Sequence, residues 1–504
     1  MINVAKCCHP CCKTLLPTAA SPTLRQPSRL TTLQHCKTRC RAYLEARLFI
    51  WRLIINSLIS EILDPTLPVG VEQRQAFGKS LREQVPLTAL GHRPVITRSA
   101  PRFIARIESH LIPELLPLRH ERMLASPAAF FRGTAELMAY DLRHEVNSGI
   151  TLLSSGDAHL QNFGFYASPE RQLLFDLNDF DEAGVMPFEY DVKRLATSVY
   201  LLGAQSHFDA DQMDELVLQV VRTYRKSLKA SFKQSQLERF YTTSEVHGLL
   251  GAVDAQEAGL IEKIIHKAQS RDQASVIKKY TQRTASGQLR FKVDPPRSIH
   301  VEADTEVSLM QGLLDYRETT RADVNLLLHQ YHVTDMIRHS VGIGSFGTHC
   351  YLALLTGPNG SSIVLQLKEA LPDRHVLSLQ SDPASLSAET QAGQRIIAAT
   401  QILQKASDPF LGWMTIGERS FYVRQFRDMK ESINVAKLTF DQFKAYSEVC
   451  AHLLAKAHAQ SPQAAVACGY VNKDFDRTIQ QWCLGYLHQV IDDFAAFAAE
   501  FEEN

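Results

Sequence analysis

Net charge is what this 504-residue chain lacks first: 54 Lys and Arg are matched by 54 Asp and Glu. No overall field therefore draws it to nucleic acid or to an anionic membrane. It also lacks a long apolar run. The stretch from Leu48 to Leu63 is interrupted by Arg52 and Glu61 and falls short of the ~20 residues that cross a bilayer, so no membrane span is expected. Acidic residues are missing before Glu45, where seven Lys or Arg occur. That bias superficially resembles an organelle-targeting segment. Residues 1–73 are read as a Cys-containing leader, poorly ordered or dispensable, with an accessory helix packed on the main body as the alternative. Cysteine is sparse beyond residue 40. Cys7, Cys8, Cys11, Cys12, Cys36 and Cys40 crowd the start, and their doubled spacing fits the C-x2-C pattern of zinc sites poorly. Cys350, Cys450, Cys468 and Cys483 stand apart, as buried, reduced thiols of a cytoplasmic protein do. No Ser-His-Asp or catalytic-cysteine setting stands out.

What is present is an ordinary globular composition, 45% hydrophobic and 21% charged, able to bury a core. The richest stretch runs from Ser154 to Leu195. It sets Gly156-Asp157-Ala158-His159 and Asn162 ahead of a second acidic cluster, Asp176, Asp179, Asp181 and Glu182. The turn residues Ser168-Pro169-Glu170 and the apolar run Leu173-Leu174-Phe175 predict a hairpin that folds the second cluster back beside the first. Carboxylates crowded in this way repel unless they share a cation or a proton.

A second region of signal lies far downstream. Gly342, Gly344, Ser345 and Gly347 fall in a Gly-x-Gly-x-x-Gly turn, followed by Tyr351 to Leu355, the turn Gly357-Pro358-Asn359-Gly360, and Ile363 to Glu369 with Lys368 near its end. The spacing predicts strand, Gly-rich turn, strand, tight turn, strand. The glycines let the backbone close over phosphates, and Lys368 brings them a point charge. A dinucleotide fold is excluded because a strand, not a helix, follows the glycines. Glu389, on a helix-like stretch from Ser385 to Gln404, is a candidate carboxylate partner for Lys368, with Glu369 competing. Arg132, beside Phe130 and Phe131, is either an anion clamp or half of a structural ion pair.

The remaining signal is structural. Met213, Leu216, Val217, Val220, Val221 and Tyr224 recur with helical spacing, as do Ile104, Ile107 and Leu111, the pairs Leu260-Ile261 and Ile264-Ile265, and Phe443 to Ala457. Residues Thr281 to His300, with Asp294-Pro295-Pro296, read as a long connection. His458, like most other histidines, reads as structural.

Asp157 with Asn162 five positions on, and Asp179-Phe180-Asp181 after them, resembles the catalytic loop and metal site of the protein-kinase-like superfamily, its aminoglycoside and choline phosphotransferase branch in particular. The glycine turn with Lys368 is similar to that superfamily's Gly-rich loop and β3 lysine. More closely, the blocks SPAAFFRG, GDAHLQNFG, NDFDEA, VGIGSFGTHCY, LQLKEA, SDPFLGW and FYVRQFRDMK resemble the bacterial family called domain of unknown function 2252, over roughly Phe77 to the C-terminus.

The resemblance implies an α+β, two-lobed kinase-like fold with a mostly helical larger lobe. Because Lys368 follows Asp157 here, the expected fold is circularly permuted: a helical catalytic-loop lobe at 74–330, a Gly-rich β lobe at 331–432 and C-terminal helices at 433–504. It implies ATP and Mg²⁺ as cofactors. Asn162 and Asp179 would hold the ion, Asp181 would assist, and Asp157 would orient or deprotonate an acceptor hydroxyl. His159 would support the loop through a hydrogen bond; as a metal ligand with Asp157 it would instead serve a hydrolase. The leading expectation is an ATP-dependent phosphotransferase acting on an unidentified small molecule or protein. A nucleotide-binding regulator of the same fold and a metal-dependent hydrolase are the alternatives.

Overall fold

The computed structural model describes residues 58–502 except 60, 243–265, 267–272, 341, 343, 345, 373–391 and 428–431. The helix expected around Leu260 to Ile265 lies outside the described residues. The architecture is mixed α and β and predominantly helical.

Most of the helical periodicity becomes one core. Asp209 caps the helix Ala210–Ser231 by accepting from Gln212 N at 3.1 Å, and all six apolar residues from Met213 to Tyr224 named above are buried along it. Spacings of three and four set them on one stripe. That stripe packs against Phe440–His458, which a Thr439–Gln442 capping box starts, and against the long helix Lys473–Glu502. Leu58 and Ile62, within the segment expected to be a leader, are buried in the same core. The helix Ala100–Glu108 stops earlier than its periodicity suggests, and Leu111 lies beyond its end, packed against Gly347.

Four short strands frame the acidic stretch. β1 (Thr151–Ser154) pairs with β4 (Gly184–Pro187), and β2 (Phe163–Ala167) pairs with β3 (Leu173–Leu177), both antiparallel. In the β2–β3 turn Ser168 Oγ accepts from Glu170 N and Gln172 N, each at 3.2 Å. This is the hairpin the turn residues predict.

The segment 281–300 is more than a connection. β5 (Thr281–Arg283) and β6 (Leu289–Phe291) form a small hairpin, and β7 (Ser298–His300) is the edge of a larger sheet. Strands of three residues are too short for a readable alternation. The larger sheet is antiparallel throughout, with the order β11–β12–β10–β9–β8–β7. It comprises β8 (His332–His339), β9 (Cys350–Thr356), β10 (Ser362–Ala370), β11 (Gly412–Ile416) and β12 (Arg419–Gln425) besides β7. Asn359 (φ 58°) and Gly360 (φ 72°) make the tight turn between β9 and β10.

Leu365 and Leu367 face a cluster containing Leu309, Leu313 and Tyr316 of the helix Ala303–Arg317. The sheet's core thus begins upstream of the expected division at residue 330. Val364 faces the opposite cluster, with Val276, Phe291 and Phe426. Strand alternation puts Gln366 and Lys368 on this second face, beyond its apolar part. Helical core and sheet belong to one compact unit, residues 54–504. No helix among the described residues is long and apolar enough to cross a membrane.

Candidate active site

The loop between β1 and β2 is held from beneath. Gly156 has φ +76°, and a Cβ there would lie 2.0 Å from Glu182 O, so only glycine fits. Asp191, in the helix Glu189–Gln205, accepts from Ser155 N at 2.8 Å and Gly156 N at 3.0 Å. His458 Nε2 lies 3.2 Å from Asp191 Oδ2, and its Nδ1 lies 2.8 Å from Tyr224 Oη. All three side chains are buried. Tyr446 adds a hydrogen bond from its hydroxyl to Leu160 O at 2.7 Å.

One turn beyond Asp191, Arg194 donates from Nε to Asp157 Oδ1 at 2.8 Å and from Nη2 to Phe131 O at 2.8 Å. His159 Nδ1 accepts from Gln161 N at 3.1 Å, which assigns the ring proton to Nε2, 3.6 Å from Asp157 Oδ2. Burial pushes the His159 pKa down to about 4, with Asp157 opposing and Arg132 and Arg194 adding to the fall. The imidazole is therefore neutral at pH 7.

Asn162 Nδ2 donates to Asp157 O at 2.9 Å and Asp179 O at 3.1 Å. Both amide hydrogens are thereby committed, which fixes Oδ1 as the amide's acceptor. The same bonds join the loop to the segment after β3.

Here the two distant regions meet. Lys368 Nζ contacts Asp181 Oδ2 across 187 residues of chain, and Tyr422, opposite Lys368 on β12, donates its hydroxyl to Asp181 Oδ1 at 2.8 Å. Burial works against the Lys368 ammonium, but Asp179 and Asp181 outweigh it and hold its pKa above the usual lysine range. Arg395 seats the same segment through Asp181 O at 3.2 Å, Ala183 O and Leu371 O. Glu369, the competing partner, pairs instead with His349 at 2.8 Å and Arg419 at 3.3 Å. Glu389 and Ser345 lie outside the described residues.

The glycine turn is tied down by its carbonyls. From the helix Leu116–Met123, Arg119 donates to Gly344 O at 2.7 Å and Arg122 to Gly342 O at 2.6 Å. Gly347 O accepts from Ile112 N at 2.8 Å. Gly342 (φ 86°) and Gly347 (φ 108°) are left-handed, the conformation glycine supplies at least cost.

These groups border a cleft of about 560 Å³ whose wall includes Arg132, Asp179, Gly342, Gln366, Lys368 and Arg424. That is a size suited to a nucleotide-sized ligand, for which pockets run to roughly 300–1,000 Å³. Arg132 is half-buried and electrostatically attracted to Asp157 and Asp179. No group of three or more His, Cys, Asp or Glu among the described residues could hold a metal ion unaided. The oxygen donors of Asn162 and Asp179 suit Mg²⁺, which takes one or two protein oxygens and completes its shell with phosphates and water.

Of the described candidates, Arg132, Asp179, Lys368 and Gly342 line the cleft; Asp181 is joined to them through Lys368 and Asn162 through Asp179 O, while Asp157, His159, Gly344 and Gly347 are not in its lining. Asp191, Arg194 and Tyr422 were missed. Asp191 and Arg194 stand inside the stretch that drew attention first, but only the helix that begins at Glu189 turns them toward the loop. His458 is structural in a specific sense, as the residue behind Asp191.

A family model described as an uncharacterised protein conserved in bacteria (DUF2252) matches residues 111–500. No curated protein and no solved structure matches the chain.

Proposed function

The chain belongs to the DUF2252 family, and from its cleft we propose that it is a Mg²⁺·ATP-dependent phosphotransferase of kinase-like fold. In this reading a helical lobe and a β lobe occur in permuted order along the chain. The observation that carries the proposal is the meeting of Lys368 with Asp181 beside Asp179. A lysine on the third strand of a meander whose first two strands are joined by a glycine turn, set against paired aspartates, is what phosphoryl transfer asks of a protein.

Asn162 and Asp179 would hold the metal, which when bound neutralises charge on the β- and γ-phosphates. Lys368 binds the α/β-phosphates, with Asp181 holding it in place. Asp157, gripped by Arg194 through one oxygen, presents its carboxylate to the acceptor hydroxyl as orienter or base. His159 supports that loop as a neutral ring.

Thermal melting with ATP, Mg²⁺ and both together tests the reading. Mg²⁺ with ATP should raise the melting temperature, as any ligand selective for the folded state does. Single-turnover assays should release the γ-phosphate to an acceptor or to water. No shift with any Mg²⁺·nucleotide would remove the proposal.

A further inference from the structure

The wall of the cleft carries a second positive centre that the roles above leave unused. On β10 and β12 the register sets Gln366 opposite Arg424 and Lys368 opposite Tyr422, so Arg424 and Lys368 are diagonal neighbours on one sheet face. The ammonium and the guanidinium repel one another, so two cations are held on one face of the sheet. Arg424 makes one hydrogen bond to the described protein, from Nε to Gln366 Oε1 at 2.9 Å, which leaves both terminal nitrogens of its fork uncommitted. Gln366 Nε2 donates to Cys350 Sγ at 3.4 Å, which fixes the amide with its oxygen toward Arg424. Across the cleft Arg132, from the helix Pro127–Gly133, lines the same space, and among the described residues its guanidinium has no hydrogen-bond partner. Both arginines are attracted to Asp179, one from each wall.

Arg424 also lies over the Tyr422 ring, 5.6 Å from its centroid, but that contact and the Nε bond leave its terminal nitrogens idle. A half-buried fork gains little from the fold alone and matches an oxyanion, which it binds through two parallel hydrogen bonds. We propose that Arg132 and Arg424 form an oxyanion-binding site over Asp179, distinct from the position served by Lys368, which grips a phosphate or carboxylate from opposite walls. The oxyanion comes either from the nucleotide's terminal phosphate or from an anionic acceptor. The site deepens the phosphotransferase reading and rests on the same cleft.

The test compares the full chain with Arg424→Gln, Arg132→Gln and Arg424→Lys by calorimetry at fixed ionic strength. The probes are Mg²⁺·ATP, inorganic tripolyphosphate, and inorganic phosphate added to protein saturated with a non-hydrolysable Mg²⁺·ATP analogue. If the oxyanion is the nucleotide's own, each Gln variant weakens Mg²⁺·ATP and tripolyphosphate about tenfold or more, as expected for a lost charge-assisted pair. If it belongs to the acceptor, Mg²⁺·ATP binding holds while binding of phosphate to the analogue-saturated protein is lost. In either case Arg424→Lys recovers only part of the loss, and ligand-free Arg132→Gln melts no lower than the parent because its guanidinium has no hydrogen-bond partner among the described residues, whereas ligand-free Arg424→Gln melts somewhat lower because it gives up the bond to Gln366 and the contact with the Tyr422 ring. Unchanged binding of all three probes, or a ligand-free Arg132→Gln variant that is destabilised, overturns the site. Tripolyphosphate binding that depends on the arginines without any response to Mg²⁺·ATP keeps the site and removes the nucleotide reading. Mg²⁺·ATP binding indifferent to the arginines, with no phosphate binding to the saturated protein, does the reverse.

Discussion

The acidic loop and the glycine turn face the same cleft and are built in opposite ways. Around Asp157 the backbone is fixed by buried side chains: Asp191 holds two amides, His458 and Tyr224 stand behind Asp191, and Arg194 and Tyr446 close the sides. The described residues of the glycine turn rest on the segment from Leu111 to Arg122: two carbonyls are held by arginines of one eight-residue helix, and Phe346 is buried against Ile112, Leu115 and Leu118 with Arg122 over its ring. One wall is held by a branching network of buried hydrogen bonds, and the described part of the other by a short helix and the segment leading into it. Under the phosphotransferase reading, groups that would meet the reacting atoms belong on the first kind.

Substitutions can sharpen or break that contrast. The largest effect is expected from Asp157→Asn, which removes the carboxylate and should lower phosphoryl transfer by roughly 10²–10⁴-fold while calorimetric nucleotide affinity stays near that of the parent. Transfer at the parental rate would remove Asp157 from the chemistry. Lys368→Met should abolish the melting shift given by Mg²⁺·ATP, because Asp179 and Asp181 then meet the phosphates with no ammonium between them.

Asp191→Ala withdraws an acceptor from two buried amides and a partner from His458, and should cost about 3 kcal/mol in urea unfolding, as losses within buried hydrogen-bonded networks do. A cost near zero would mean the loop wall is less fixed than its contacts indicate.

Protonation supplies a gentler probe. The folded-state pKa of His159, about 4, lies below the ordinary value of 6.5, and burial is the cause. The neutral ring's contribution to stability is therefore complete above about pH 6.5 and declines as pH falls toward 4. His339 on β8, also pushed down to about 4 by burial with Arg297 and Arg427 adding to it, loses stability in the same window. His159→Gln should flatten the acid side of the stability–pH curve only in part, and a curve left unchanged would contradict the burial argument. The smallest change is expected from Arg122→Ala, which frees one carbonyl of the glycine-turn wall at a half-exposed site and should cost under about 1 kcal/mol.

Much of this was legible in the sequence because it is local. The Ser168-Pro169 turn, the helix from Met213 to Tyr224 and the strand ending near Lys368 each follow from spacing or turn chemistry within a few residues. That Asp157 and Lys368 would share a site followed from their resemblance to a known catalytic pattern, since nothing near either residue specifies the other. The rest depended on register and orientation. Lys368 meets Asp181 because β10 pairs with β12 in one alignment, which also sets Tyr422 opposite it, and no local pattern encodes that pairing. Arg194 and Asp191 read as ordinary helix charges until the helix direction is known. β5, β6 and β7 were invisible because three residues cannot display a period.

Arg119 has a reach that extends beyond the glycine turn. The same guanidinium that holds Gly344 O also donates to Gly133 O at 2.9 Å, one residue after Arg132, while its Nε is steadied by Glu108 at 2.9 Å. Two segments far apart in the chain thus share one planar anchor, and replacing Arg119 would release both carbonyls at once.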